Sequence, residues 1–267
     1  MKNILSLMLI TLLASCAIYP NKPEFQMPDG ARIGVILEIK DKAKEFQYDQ
    51  NLYSDIKVTE HGVDWRLGEL FLNGLNKKSN PDNKFEFVDL SGEGINVFLL
   101  GEIKPSNKTW NIPSRAKDEA VRIKEKYKLD ALAILKEEDV SLGVICMPSG
   151  VCRHFKGVGY GLLKKSGMIF STHHVVAGFG FDLILFDPLV NLSYTHEYHS
   201  LNKQKVIYLQ EFKSPKKGEG YTSDHWSLVH QILNSHILEL VDNVHLGMKG
   251  LPLPSPTSTV YEDDIDY

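Results

Sequence analysis

Three cysteines and ten histidines are the side chains of this 267-residue chain best suited to covalent or metal chemistry. Cys146 and Cys152 flank Met147-Pro148-Ser149-Gly150-Val151, a turn-forming stretch between two apolar, β-branched segments. A hairpin centred near Ser149 places the two thiols opposite each other, so a structural disulfide is expected. Closing so short a loop contributes about 2 kcal/mol. Two cysteines alone make a poor zinc site, and their spacing differs from the Cys-x-x-Cys of a redox couple. His173 and His174 are adjacent in a segment that reads as strand and should point to opposite faces; His196 and His199 should do the same. His196-Glu197-Tyr198-His199 lacks the two histidines four apart on a helix that a zinc peptidase requires. On the last helical segment His225 and His230 lie about 140° apart around the axis, and His225 and His236 about 16 Å apart along it. No metal ligand set and no cofactor is assigned.

Nucleophilic catalysis has no marked position either. No Gly-x-Ser-x-Gly elbow occurs, and Asp187, before Pro188, is a good turn residue. Gly157-Val158-Gly159-Tyr160-Gly161 lacks the spacing and the strand-to-helix setting of a nucleotide fingerprint. Glycines at period two lie on one face of a strand, and with Gly178 and Gly180 they suit close approach of another backbone. No catalytic residue is assigned.

Cys16 has a different setting. Lys2 precedes an apolar run over residues 4–13, which Leu13-Ala14-Ser15-Cys16 closes. This resembles a bacterial lipoprotein signal peptide with its lipobox. The resemblance implies removal of residues 1–15, a diacylglyceryl thioether on Cys16 and acylation of the new amine. Three acyl chains anchor stably, since each buried methylene contributes about 0.8 kcal/mol, whereas the apolar run itself is too short to span a bilayer. Ala17, where aspartate would favour the inner membrane, implies the outer membrane. Lipidation of Cys16 also leaves an even cysteine pair in the oxidising periplasm.

The elements that position these groups follow from periodicity. Residues 16–30 carry Pro20, Pro23 and Pro28 and read as a tether from signal peptide to domain. Residues 32–39 form an apolar strand, and the polar stretch 40–62 a long loop or irregular edge. Leu67, Leu70, Phe71 and Leu75 share one face of a helix over 64–77. A turn at 81–83, a strand over 85–88 and a second strand over 95–103 follow. Ser114 opens another helix with an inner stripe of Ala116, Ala120, Ile123 and Tyr127, leading into a buried strand at 129–135. Residues 140–199 read as a β-meander, 206–212 as a further strand. Ser223-Asp224 caps the longest helix, which Gly247 and Gly250 end. The expected fold is α/β (α+β): a mixed, largely antiparallel sheet covered by about three helices in a single domain over 31–247. Residues 248–267, with three prolines and an acidic cluster, read as a disordered tail.

This order, with the strand 178–187 turning into Asn191-Leu192-Ser193-Tyr194, is similar to the periplasmic α/β domain of curli-secretion-type lipoproteins and penicillin-binding-protein activators, and to the amino-terminal domain of the Tol–Pal propeller protein. Pro188-Leu189 stands where those domains often carry Thr-Gly. Thirty basic against 34 acidic residues give a net charge of −4, with no basic excess for nucleic acid. The expected function is a membrane-anchored envelope lipoprotein, a non-enzymatic accessory or scaffold that binds a periplasmic protein partner. The alternative is an envelope hydrolase whose histidines and carboxylates meet only in the fold.

Overall fold

The computed structural model describes residues 27–49, 55–79, 85–106, 109–146, 149–167, 171–195, 204–210, 212–215 and 219–249. Cys16 and the tether up to residue 26, the turn at 81–83, His196, His199 and the tail beyond 249 lie outside the described residues. Within them the fold is mixed α+β, and most strand pairings are antiparallel.

The first layer is a five-stranded sheet. Its strand β1 (Ala31–Glu38) runs parallel to β4 (Phe85–Asp89), an edge strand, on one side and to the central β7 (Ala131–Glu137) on the other. Antiparallel β12 (Phe179–Phe186) and β13 (Leu189–Asn191) extend it beyond β7. Every residue of β12 is buried, as in a strand covered on both faces, and its one charge, Asp182, is paired with Lys136. The second sheet has the order β14-β11-β10-β2-β3, with β2 (Lys42–Asp49), β3 (Lys57–Gly62), β10 (Tyr160–Ser166), β11 (Ser171–Ala177) and β14 (Lys205–Tyr208). The short strands β5 (Lys104–Ser106) and β6 (Thr109–Asn111) pair only with each other.

Helix α1 (Leu67–Ser79) and the closing helix α4 (Ser223–Met248) bury their apolar stripes in one core with both sheets. Phe71 and Leu75 meet Val35, Ala133 and Phe181 of the first sheet, while Leu162, Val175 and Ala177 come from the second. Gly74 lies against Val241, where a Cβ would stand 2.9 Å from Cγ2. Helix α3 (Ser114–Tyr127) covers the opposite face of the first sheet through Ala116, Ala120 and Ile123. The opposite face of the second sheet is covered by the hairpin of β8 (Asp139–Cys146) and β9 (Cys152–Val158), where Phe155, Val140 and Leu142 pack on Phe46, Leu163 and Val176.

Several sequence expectations change here. Residues 42–49 and 57–62 are strands paired with each other, and in the first Ala43, Phe46 and Tyr48 are buried among charged and polar neighbours. The expected strand at 95–103 contains the one-turn helix α2 (Val97–Leu100), which Asn96 caps by accepting from the Leu99 N–H. Pro113 and Thr222, one residue before the expected serines, are the N-caps of α3 and α4, and Gly247 lies inside α4. The meander is divided: β8–β9, β10–β11 and β12–β13 belong to three different sheets.

Three single residues join these sheets: Glu138 between β7 and β8, Gly159 between β9 and β10, and Gly178 between β11 and β12. They close a ring of backbone hydrogen bonds. Glu138 N–H donates to the Gly178 carbonyl (2.9 Å), Gly178 N–H to Gly159 (3.1 Å) and Gly159 N–H to Glu138 (3.1 Å). A Cβ on Gly178 would lie 2.4 Å from the Gly159 oxygen, so this corner excludes side chains. Gly159, with φ +90°, breaks the strand that the sequence pattern made continuous.

Cys146 and Cys152 are register partners and form a disulfide at the hairpin tip, with Cα atoms 4.0 Å apart. Replacing both with serine should lower unfolding stability by about 2 kcal/mol, measured by urea denaturation. A change below about 0.5 kcal/mol would mean that packing of Phe155 alone fixes the hairpin.

Candidate functional site: an aromatic and histidine cluster

The parallel strands direct their carboxyl ends to one edge of the first sheet. The crossover from β1 leads to β4, and the chain then returns to β7 on the other side of β1. Open α/β sheets place ligands beside such a switch point. Here the edge is filled. Tyr160 OH donates to the carbonyl of Lys40, just past β1. Trp65 lies against Tyr160 and Trp226, both at 6.1 Å between ring centroids, and stacks on His230 at 5.1 Å with planes 7° apart. Period-two alternation turns Glu45, His61 and His173 toward the same side of the second sheet. These face the first turns of α4 and the chain leading into it.

His173 is 2% exposed. Its ring stacks on Phe212 at 4.5 Å, its Nε2 shares a hydrogen bond with Tyr221 OH (3.2 Å), and its Nδ1 with Ser214 Oγ (3.5 Å). Burial, then the charges of Lys164 and His225, lower its pKa to about 4. Burial raises that of the Tyr221 hydroxyl, and the Glu45 charge adds to the shift. His61 Nε2 stands 3.3 Å from Glu45 Oε2, and its ring packs on Trp226 at 4.8 Å. His225 caps the closing helix: its Nδ1 accepts from the Thr222 N–H (2.9 Å), and its Nε2 donates to the Lys213 carbonyl (2.7 Å).

Charged groups surround the three-sheet corner nearby. The Lys44 ammonium, on the opposite face of β2 from Glu45, donates to Glu137 Oε2 (2.7 Å) and the Val158 carbonyl (2.8 Å). Lys136 bridges Asp182 (2.8 Å) and Glu138 (3.0 Å). Asp182 also accepts from the Asn191 amide, and Asp187 precedes a cis proline in the β12–β13 turn.

The arrangement is a fastening. His173 and His225 use both ring nitrogens on hydroxyls and backbone groups. The Glu45–His61 pair has the elements of acid–base chemistry, but among the described residues no hydrogen bond joins it to a hydroxyl or thiol nucleophile. Among the described residues no three His, Cys, Asp or Glu side chains stand close enough to hold a metal ion. His173 and His174 do point to opposite faces, His174 lying against Tyr208 at 5.3 Å. His225 and His230 join one cluster despite their angular separation, because Tyr221 and Trp65 flank the helix on different sides. Spacing within a single element carried no trace of this convergence.

Compared with family models, curated proteins and solved structures, the chain gives no match.

Proposed function

We propose that this chain is an envelope lipoprotein anchored through acyl groups on Cys16, with a periplasmic domain serving as a non-enzymatic accessory or scaffold for a protein partner. The saturation of His173, His225 and Tyr221 by each other and by nearby polar groups carries the non-enzymatic part of this reading. Such groups hold elements together and leave no ring nitrogen of His173 or His225 to move a substrate proton. The lipobox supports the anchor, and the Cys146–Cys152 disulfide agrees with an oxidising compartment. No described helix is long and apolar enough to cross a membrane. Phe98, 77% exposed on α2, and Val121, 42% exposed on α3, are apolar side chains available to a partner.

Labelled palmitate should enter the wild-type protein and be lost in Cys16→Ser. Unchanged labelling in the variant would end the lipoprotein reading. Affinity capture from crosslinked envelopes should then recover a reproducible partner whose yield falls with Phe98→Ser. The Glu45–His61 pair is the one observation favouring a hydrolase. Turnover of an envelope substrate that Glu45→Gln abolishes, without partner recovery, would reverse the assignment.

A further inference from the structure

We propose that His173 and His225 form a pH-sensitive latch, which in its neutral state fastens the start of the closing helix to the second sheet and releases it in acid. This goes beyond the anchoring and scaffold reading and does not depend on it. The latch has two halves on different elements. From β11, His173 bridges Tyr221 and Ser214 and carries Phe212 on its ring face. From α4, His225 reaches back to Thr222 N–H and Lys213 C=O. The two imidazoles therefore hold the same stretch of chain, at Lys213 and Ser214 and again at Tyr221 and Thr222.

Hydrogen-bond direction sets the tautomer of His225. Its Nδ1 accepts from a backbone N–H, which always donates, so Nδ1 carries no proton and Nε2 does. A proton on Nδ1 removes the acceptor of the Thr222 N–H, leaves Nδ1 only the Thr222 hydroxyl at 2.8 Å to donate to, and places a cation at the positive end of a helix. For His173 the hydroxyl partners tolerate either state, and the opposition is electrostatic. Its ring is buried, Lys164 is its register partner on β10, and His225 faces it from α4.

The other titratable groups in the cluster do not compensate. Glu45 of β2 pairs with His61 of β3, and Tyr221 carries no charge near neutrality. Asp224 lies in the first turn of α4. Among the described residues neither latch imidazole is within ion-pair distance of a carboxylate.

The sign follows from linkage. The folded state holds His173 near 4, below its ordinary 6.5, so the unfolded or opened chain binds the proton more readily. The stabilisation is complete above about pH 6.5 and is lost as pH falls toward 4. His174 and His236 are also lowered to about 4 by burial, but they lie against Tyr208 and Phe179. Their titration weakens the fold at other places, so a local readout separates them from the latch.

Hydrogen exchange on the full chain at pH 7 and pH 4.5, expressed as protection factors, provides that readout. Protection of amides 221–228 should fall about tenfold or more, while β1 and β7 keep theirs. His225→Gln retains a cap acceptor that does not titrate and should reduce the fall severalfold. With His173→Gln added, the pH dependence at 221–228 should nearly vanish. If the double variant fails to fold, His225→Gln alone decides. Constant protection in the wild type, loss in step with β1 and β7, or an undiminished fall in His225→Gln would each overturn the latch.

Discussion

Gly161→Ala should cost the fold about 4 kcal/mol or more, at the extreme of single-substitution effects, and leave little soluble protein. Gly161 stands opposite Lys44 in the parallel pairing of β10 with β2. An added Cβ would lie 1.9 Å from the Lys44 carbonyl oxygen and 2.6 Å from its nitrogen. Both are backbone atoms, so no rotamer change relieves the contact. The residue also holds φ at +146°, where L side chains are strained. Gly30→Ala is the matched control, because its φ is +80° but nothing lies within 4 Å of the added carbon. That change should cost only about 1 kcal/mol. Urea unfolding and soluble yield read both variants. Wild-type behaviour of Gly161→Ala would mean that β2 and β10 do not pair in this register.

Periodicity made the three long helices α1, α3 and α4 and the apolar strands β1, β4 and β7 legible in the sequence, because each carries its own partner-facing stripe. The Cys146–Cys152 hairpin was legible because its turn residues and thiols are local. The β2–β3 hairpin was not. Lys44 at 8% exposure looks like a solvent residue until Glu137, 93 positions away, supplies its counter-charge. Residues 95–103 misled for a related reason. Leu100 and Ile103 are apolar to cover α3, and a one-turn helix with the turn that follows it buries them as well as a strand does. Antiparallel turns were legible, but not the corner at Glu138, Gly159 and Gly178 that sends successive strands to different sheets. The aromatic and histidine cluster draws on β2, β3, β10, β11, α4 and two connecting stretches, so no window of sequence contains it.

Glu137→Leu should cost about 3–5 kcal/mol, while adding Lys44→Met to it should recover most of that loss. The reason is asymmetry. Removing the carboxylate leaves an ammonium buried beside the corner with only the Val158 carbonyl to accept from it. Removing both charges leaves two apolar chains of similar volume. Glu137 has a second task, since its Oε1 accepts from the Lys40 N–H at 3.2 Å. Glu137→Gln keeps that acceptor while removing the charge, so its cost should fall between those of the leucine and double variants. The pair also accounts for the glycine beside it. A Cβ on Gly159 would stand 2.5 Å from Glu137 Oε2 and 2.8 Å from Lys44 Nζ, displacing the bond that closes the corner. A double-mutant cycle by chemical denaturation measures the coupling directly. Additive losses from Lys44→Met and Glu137→Leu would show that the two charges act independently, and that the ring of backbone hydrogen bonds holds the three sheets together without them.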